Sequence, residues 1–223
     1  GDLTNMETGY IFKEFFDRTL DTNNYESRSD NRFLDISKRE NYLFNSTING
    51  IEESDFIMLV GTNPRYEATI LNARIRKAYL NKNTNIISLN ELGDLTYPYE
   101  SLNGQTKTLN EIFEGNHEIS NKIMNANKPM IILGESLLKL NSSEYLFAKI
   151  KRFLTEHNKI NDTWNSLNIL SCDASTVGNY DLGITNDNNL LKDLKEHKFE
   201  ILYLAGQDNL DFQKKNEFII YQG

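Results

Sequence analysis

The sequence predicts an α/β fold: a doubly wound, mostly parallel β-sheet with helices on both faces. The first observation is the unbroken apolar run Phe56–Val60, which is ended by Gly61. A run without polar alternation is typical of a strand buried on both faces, as the strands of parallel sheets are. The second observation is that similar runs alternate with helix-like patterns over most of the 223 residues. This alternation indicates βαβ units, whose crossover helices cover both faces of one sheet.

The N-terminal segment predicts one helix followed by a long connection. Thr4 and Glu7 have the spacing of a capping box, which places a helix at about 5–20. Its apolar stripe, expected to face the core, consists of Phe12, Phe15, Phe16 and Leu20. Residues 21–38 are polar and aperiodic and predict a surface loop, and a short helix is expected over 41–48.

The run Phe56–Val60 and the residues after it predict the first half of a βαβ unit. Asn63 is suited to cap a helix, and Pro64 to occupy its first position, where the missing N–H is not needed. One stripe at spacings of three and four follows, formed by Ala68, Leu71, Ile75, Ala78 and Tyr79.

The rest of the chain continues the alternation. Further strands are predicted at 85–89, 129–134, 167–170, 199–206 and 218–223. Further helices are predicted around 109–113, closed by Gly115, and at 117–127, 142–157 and 188–196. Residues 173–183 are expected to form an irregular connection. These elements complete the prediction of a single α/β domain over 1–223.

Composition argues against two classes of function. The net charge is −8, the isoelectric point is near 5, and no basic run stands out, so nucleic-acid binding has no electrostatic support. No stretch approaches the roughly 20 apolar residues that a membrane-spanning helix needs, and the N-terminus lacks a signal-peptide pattern. We therefore expect neither nucleic acid nor direct membrane insertion.

The residues that usually carry catalysis or bind metals are sparse. Cys172 is the single cysteine, so an iron–sulfur cluster, which needs about four ligands, cannot be held by this chain alone. Its position just after a predicted strand leaves a reactive thiol open, but a buried structural cysteine is the commoner case, so we expect burial. The histidines lie far apart in sequence and are expected at the surface or at helix ends; they are His117, His157 and His197. No catalytic residue and no metal site is predicted.

Glycines at the ends of predicted strands mark the candidate binding edge. Doubly wound folds bring backbone close to ligands at the carboxyl ends of their strands, and here Gly61, Gly134 and Gly206 end strands. Neither Gly-x-Gly-x-x-Gly nor a P-loop occurs. Two interpretations stay open: tight turns and helix caps, or a free-standing module that binds a purine nucleotide at this edge. A scaffold should fill the edge with its own side chains, whereas a binding module should leave it open.

Several segments carry a resemblance to a known family. The longest is Val-Gly-Thr-Asn-Pro-Arg-Tyr-Glu-Ala at 60–68, followed by Asn-Ala-Arg-Ile-Arg-Lys at 72–77. Shorter matches occur at 45–53, 94–99, 128–130, 164–170, 181–183 and 218–223. Together they resemble the large iron–sulfur subunit of respiratory complex I, NADH:ubiquinone oxidoreductase, in its molybdopterin-oxidoreductase-like middle domain. Many members carry proline where this chain has Thr69.

The resemblance implies a function for the chain. It implies a structural part of the subunit, on the matrix side of the mitochondrial inner membrane, in an enzyme that passes electrons from NADH to ubiquinone and translocates protons. It implies that the cluster-binding N-terminal regions and a C-terminal continuation are absent, and that iron–sulfur clusters belong to that missing N-terminal part. The equivalent loops of molybdenum enzymes contact a pterin dinucleotide, and complex I subunits have lost it. Vestigial cofactor residues would be Gly61, Thr62, Asn63 and Arg65, with no cofactor held in this chain.

Although the chain has no continuous basic run, four of its cations are concentrated in one region. This basic group consists of Arg65, Arg74, Arg76 and Lys77. On a helix Arg74 and Lys77 share a face, while Arg76 points elsewhere. The group is either a solvated helix face or a docking site for an acidic surface of another complex I subunit or of the missing part of the same subunit.

Overall fold

The computed structural model describes residues 4–185, 190–208, 210 and 213–223. Its helices are α1 (Met6–Arg18), α2 (Thr47–Gly50), α3 (Pro64–Glu67), α4 (Thr69–Lys82), α5 (Thr106–Phe113), α6 (Glu118–Asn125), α7 (Glu135–Leu138), α8 (Ser143–Glu156), α9 (Thr176–Asp181) and α10 (Leu190–Lys195). Its strands are β1 (Phe56–Val60), β2 (Asn85–Ser88), β3 (Glu100–Ser101), β4 (Pro129–Gly134), β5 (Leu167–Leu170), β6 (Ile201–Ala205) and β7 (Phe218–Gln222). Short 3₁₀ helices occupy Arg39–Asn41 and Ile51–Glu53. The chain divides into two compact units, 33–172 and 1–32 with 173–223; the single-domain expectation stays a prediction.

The unit 33–172 is a five-stranded parallel sheet in the order β3-β2-β1-β4-β5. From β1 the chain moves outward to β2 and β3, and then crosses back to place β4 on the other side of β1. The strand order therefore reverses between β1 and β4. The predicted doubly wound fold is confirmed, and this reversal is its topological switch point.

Both faces of the sheet are buried, because alternate residues of each central strand enter different cores. Met58 and Val60 of β1 pack with α5, α6 and α8 on one face. Ile57 and Leu59 pack on the other face with α4 and with Trp164. The uninterrupted apolar run of β1 follows from this, since every one of its side chains is buried.

Local signals fixed the helix after β1 largely as predicted. The side chain of Asn63 accepts the Arg65 N–H at 3.1 Å, and Pro64 opens α3. The helix is broken at Ala68, whose backbone is not helical, and it restarts as α4. The buried face of α4 contains the predicted Leu71, Ile75 and Ala78 together with Asn72.

The outer edge of β5 is covered by the segment before α2. The N–H of Ile169 donates to the Leu43 carbonyl at 2.9 Å, and Phe44 forms an antiparallel bridge with Asn168. The side-chain amide of Asn45 donates to the Leu167 carbonyl at 2.7 Å. The short helix expected over 41–48 is wrong, because residues 42–46 form bends and turns around the single bridge at Phe44, and α2 starts only at residue 47.

The second unit consists of α1, α9, α10 and a separate two-stranded parallel sheet, β6-β7. The predicted strands at 199–206 and 218–223 therefore exist with shorter bounds, but they pair with each other and do not extend the larger sheet. Residues 173–183 contain α9 where an irregular connection was expected. Of the helix predicted at 188–196, residues 188 and 189 lie outside the described residues.

Helix α1 differs from its prediction at both ends. Its cap is Asn5, whose side chain accepts the Thr8 N–H at 2.8 Å, and the Thr4 hydroxyl donates instead to the Ala205 carbonyl at 3.0 Å. The ring of Phe12 contacts Tyr203, with centroids 4.9 Å apart. Part of the expected core-facing stripe is nevertheless exposed, namely Phe15 and Leu20.

Candidate functional site

The candidate site is the carboxyl edge of the sheet at the switch point between β1 and β4. Gly61 leaves β1 with a φ of +66°, a left-handed conformation that favours glycine. A Cβ on Gly61 would lie 2.7 Å from the backbone nitrogen of Leu137. The turn after β1 therefore lies directly against α7.

Gly134 closes the same gap from the side of β4. A Cβ on Gly134 would lie 2.5 Å from the Thr62 Cβ, 2.8 Å from the Gly61 carbonyl carbon and closer still to that carbonyl's oxygen. Its backbone angles, φ −93° and ψ 170°, suit any residue. Glycine is therefore required here because two backbones approach each other, and the crevice is closed by that approach.

The polar side chains at this edge bond to the chain itself. The buried Thr62 hydroxyl donates to a Glu67 carboxylate oxygen at 2.5 Å. The amide of Asn63 donates to the Leu92 carbonyl at 3.1 Å, while its oxygen caps α3. Arg65 forms an ion pair with Asp94 at 2.7 Å. The hydrogen bond from Arg65 is the largest influence that lowers the pKa of the Asp94 carboxyl.

The loop 89–99 covers the edge and is held to α4 by buried hydrogen bonds. The Tyr97 hydroxyl donates to the Asn72 side-chain oxygen at 2.8 Å, and the Asn72 amide donates to the Leu95 carbonyl at 3.1 Å. Burial raises the pKa of the Tyr97 phenol well above its ordinary value. The sequence singled out 94–99 only through the resemblance, because no local pattern reveals that this loop returns to α4.

Gly206 does not belong to this edge. It ends β6, in the separate two-stranded sheet, with a φ of +54°. The expectation of one sheet edge formed by three strand-end glycines is therefore wrong, because Gly61 and Gly134 follow strands of the five-stranded sheet whereas Gly206 follows a strand of the other sheet. The sequences of β1, β4 and β6 are similarly apolar. Only the pairing of β6 with β7, which the sequence does not reveal, places β6 in a different sheet.

The cysteine and the histidines occupy positions without a metal-binding arrangement. Cys172 is exposed, contrary to the expectation of burial, and its N–H donates to a Glu135 carboxylate oxygen at 3.1 Å. The helix-end prediction for the histidines is confirmed: His117 caps α6, His157 ends α8, and His197 follows α10. Among the described residues, nowhere do three His, Cys, Asp or Glu side chains gather closely enough to hold a metal ion. In the same part of the chain no helix is both long and apolar enough to cross a membrane.

The basic group is distributed among different partners. Arg74 and Lys77 share a face as predicted, because both reach Glu52, with the Lys77 contact at 2.7 Å. The hydrogen bond from Lys77, followed by that from Arg74, lowers the pKa of the Glu52 carboxyl. Arg65 is paired with Asp94, whereas Arg76 is exposed. That these four cations dock a partner stays a prediction.

Comparison with known proteins gives consistent matches. The molybdopterin oxidoreductase family model matches residues 1–223. The NADH-ubiquinone oxidoreductase 75 kDa subunit of Reclinomonas americana is 34% identical over 238 residues, covering 100% of this chain and 34% of that protein. The mitochondrial NADH-ubiquinone oxidoreductase 78 kDa subunit of Candida albicans is 39% identical over 188 residues, covering 83% and 25%.

A third relative is the mitochondrial NADH dehydrogenase [ubiquinone] iron-sulfur protein 1 of Solanum tuberosum, 32% identical over 225 residues, covering 100% of this chain and 30% of that protein. The chain spans about a third of the length of such relatives. The resemblance inferred from the sequence motifs is confirmed by these matches. The chain therefore belongs to the molybdopterin oxidoreductase family, and its relatives include the 75 kDa and 78 kDa subunits of NADH-ubiquinone oxidoreductase.

Proposed function

We propose that this chain is a cofactor-free structural part of a large subunit of NADH:ubiquinone oxidoreductase, on the matrix side of the mitochondrial inner membrane. The enzyme transfers electrons from NADH to ubiquinone, and this segment contributes a folded support without catalytic residues of its own. We infer the enzyme and the mitochondrial compartment from the relatives, since two of those described above are mitochondrial by name.

The closed switch point is the single observation that carries the cofactor-free role. In doubly wound folds a nucleotide or pterin dinucleotide would occupy the crevice between β1 and β4. Here Gly134 leaves no room even for a methyl group beside Gly61 and Thr62. The side chains of Thr62, Asn63 and Arg65 already bond to the chain itself. The residues at this edge do not fit a pterin dinucleotide, and we derive no chemistry through one.

The sequence of this segment also gives no support for electron transfer through an iron–sulfur cluster of its own. A single cysteine cannot supply the roughly four ligands of an iron–sulfur cluster. The word iron-sulfur in the name of the Solanum relative belongs to a protein of which this chain covers 30%. We assign clusters to the parts of the longer subunit that lie outside the family match, with other subunits of the enzyme as its partners.

The proposal is tested by combining a binding measurement with a pull-down. The thermal unfolding midpoint of the purified chain should stay constant as ATP or GTP is raised to millimolar concentration. A ligand at 100 times its Kd would add about 2.7 kcal/mol, which shifts the midpoint of a chain this size by roughly 5–10 °C. A saturable rise would favour the nucleotide-binding alternative.

The pull-down examines membership in the enzyme. The tagged full-length subunit, isolated from mitochondria, should bring down flavin- and cluster-bearing subunits of NADH:ubiquinone oxidoreductase, identified by mass spectrometry. A subunit that recovers none of them would refute the scaffold role. Matched purification with Gly134→Ala, which is expected to destabilise the unit 33–172, serves as the control for a weakened fold.

A further inference from the structure

Helix α4 presents an unusual surface on the side away from the sheet. Its sequence, Thr69–Lys82, contains four cations and no carboxylate, although the chain as a whole carries a net charge of −8. The buried side is formed by Leu71, Ile75 and Ala78. We use the term α4 outer face for the opposite side, which consists of Ile70, Ala73, Arg76, Lys77 and Leu80, with Tyr66 of α3 beside its first turn.

Large apolar side chains on the α4 outer face are strongly exposed. Tyr66 is 81% exposed, Ile70 70% and Leu80 65%. Tyr66 and Ile70 are the two most exposed large hydrophobic side chains in the described part of the chain. Ile70, Ala73, Lys77 and Leu80 follow one another at spacings of three, four and three, so they form one stripe along the helix. A helix face evolved only for solvation would carry polar residues at these positions.

The cations on this helix are not equally engaged. Arg74 and Lys77 both pair with the carboxylate of Glu52. Two positive charges therefore face one negative charge, and this group of three side chains keeps a net charge of +1. Arg76 is exposed and has no ion pair with any residue that the structure describes. It is four residues before Leu80, which places the two side chains next to each other on the helix surface. The free charge therefore borders the apolar stripe.

The charge restricts what can cover this face. In a symmetric dimer through α4, the same cations would face each other and repel. A lipid surface would require a broad apolar face to be buried, whereas the broad apolar face of α4 is already against the sheet. A protein helix with apolar side chains bordered by carboxylates matches both the stripe and the charge. The stripe from Ile70 to Leu80 spans about 15 Å of helix, which is a suitable length for a helix-to-helix contact.

We propose that the α4 outer face docks an acidic amphipathic helix of a neighbouring subunit, with Ile70 and Leu80 in its apolar contact and Arg76 opposite a carboxylate. The inference rests on the proposed scaffold function and names the partner chemistry of that role. It narrows the predicted basic group to Arg76 as the cation available for a partner, because Arg65 is already paired and Arg74 and Lys77 share Glu52.

The first test introduces a photo-crosslinking residue in place of Ile70 in the full-length subunit of the assembled enzyme. The cross-linked peptide is then sequenced. The expected product joins position 70 to a segment of another subunit with a helical apolar pattern and adjacent Asp or Glu. A cross-link to another part of the same subunit, to a second copy of this subunit, to lipid or to a basic segment, or no cross-link at all, would overturn the inference.

The second test measures how firmly that neighbour is retained when the purified enzyme is washed with increasing salt. Ile70→Glu and Arg76→Glu should each weaken retention by about tenfold or more. The controls are Ile48→Glu and Lys107→Glu, exposed apolar and cationic positions on other elements, which should leave retention unchanged. All four variants should keep the urea unfolding midpoint of the wild type, since none removes a buried contact.

The outcomes separate the two proposals. If the wild-type subunit fails to co-purify with NADH:ubiquinone oxidoreductase, the proposed function falls and the docking helix falls with it. If the wild type co-purifies and Ile70→Glu and Arg76→Glu retain every neighbour as the wild type does, the docking inference alone is wrong. Equal loss in test and control variants would also refute it, because the effect would not belong to the α4 outer face.

Discussion

Replacing Gly134 by alanine should strongly destabilise the unit 33–172, although the backbone there is ordinary. With φ at −93° and ψ at 170°, alanine meets no conformational strain and would gain about 0.4–1 kcal/mol through the unfolded state. The added methyl, however, lies 2.5 Å from the Thr62 Cβ and 2.8 Å from the Gly61 carbonyl carbon. Carbon atoms pack at about 3.5–4.0 Å, so the ends of β1 and β4 must separate by roughly 1 Å. Overpacking usually costs about 1–3 kcal/mol and occasionally more. Two of the three obstructing atoms are Gly61 backbone and cannot rotate away, so we expect a cost of about 3–5 kcal/mol here. Subtracting the gain leaves a net loss of about 2–4 kcal/mol.

The assay is urea unfolding followed by the fluorescence of Trp164. This single tryptophan is buried in the same unit and donates to the Pro129 carbonyl at 2.7 Å, so its emission reports the sheet. Gly115→Ala is the matched control: its φ is +84°, but a Cβ there has nothing within 4 Å, so only about 1–2 kcal/mol of backbone strain is expected. Gly115, although its backbone is left-handed, should thus tolerate alanine better than Gly134 does. A Gly134→Ala protein within about 0.5 kcal/mol of wild type, or more stable than Gly115→Ala, would refute the argument that the switch point is closed.

Two further predictions concern a buried hydrogen bond and an acid transition. Tyr97→Phe leaves the Asn72 side-chain oxygen without its buried donor and should cost about 1–3 kcal/mol in the same urea assay, and an unchanged midpoint would contradict the role of this bond. The Glu217 carboxyl accepts the Lys215 N–H and then a bond from His197, which lower its pKa from 4.5 to about 2. A depressed pKa stabilises the folded state above the unfolded value, so this stabilisation should be complete above about pH 5 and be lost as the pH falls from 4.5 towards 2. Hydrogen exchange of β7 amides across this range should reveal the loss, and Glu217→Gln should flatten it; an unchanged pH profile in that variant would exclude the carboxyl as its cause.

The elements that the sequence predicted well are those with a local physical cause. The uniform run of β1 reflects burial on both faces, and the cap of α3 is formed by Asn63 itself. The ends of β1 and β4 were also predicted from a local signal, because a glycine closes each apolar run in the sequence. The sequence does not predict that Gly61 and Gly134 contact each other, and it leaves open whether this edge is empty or filled by side chains.

The parts that the sequence did not predict depend on pairing between distant segments. β6 has the same apolar character as β4, and nothing local indicates that it joins β7 in a separate sheet. The pairing of Arg74 and Lys77 with Glu52 required α4 to lie against the 3₁₀ helix at Ile51–Glu53. In the same way, the cap of α1 is Asn5 and not the predicted capping box. The Asn5 side chain accepts the Thr8 N–H, while the Thr4 hydroxyl donates to Ala205 of β6.

The bridge between Phe44 and β5 protects one edge of the sheet from pairing with other chains. An unprotected edge strand offers a row of free backbone groups to any other chain and is a common start of aggregation. Here the residues from Leu43 to Asn45 occupy those groups on Leu167 and Ile169. They precede the sheet in sequence, so during synthesis the protective segment already exists when β5 leaves the ribosome. The segment 43–45 therefore protects β5 from pairing with another chain, and it is synthesised before β5 itself.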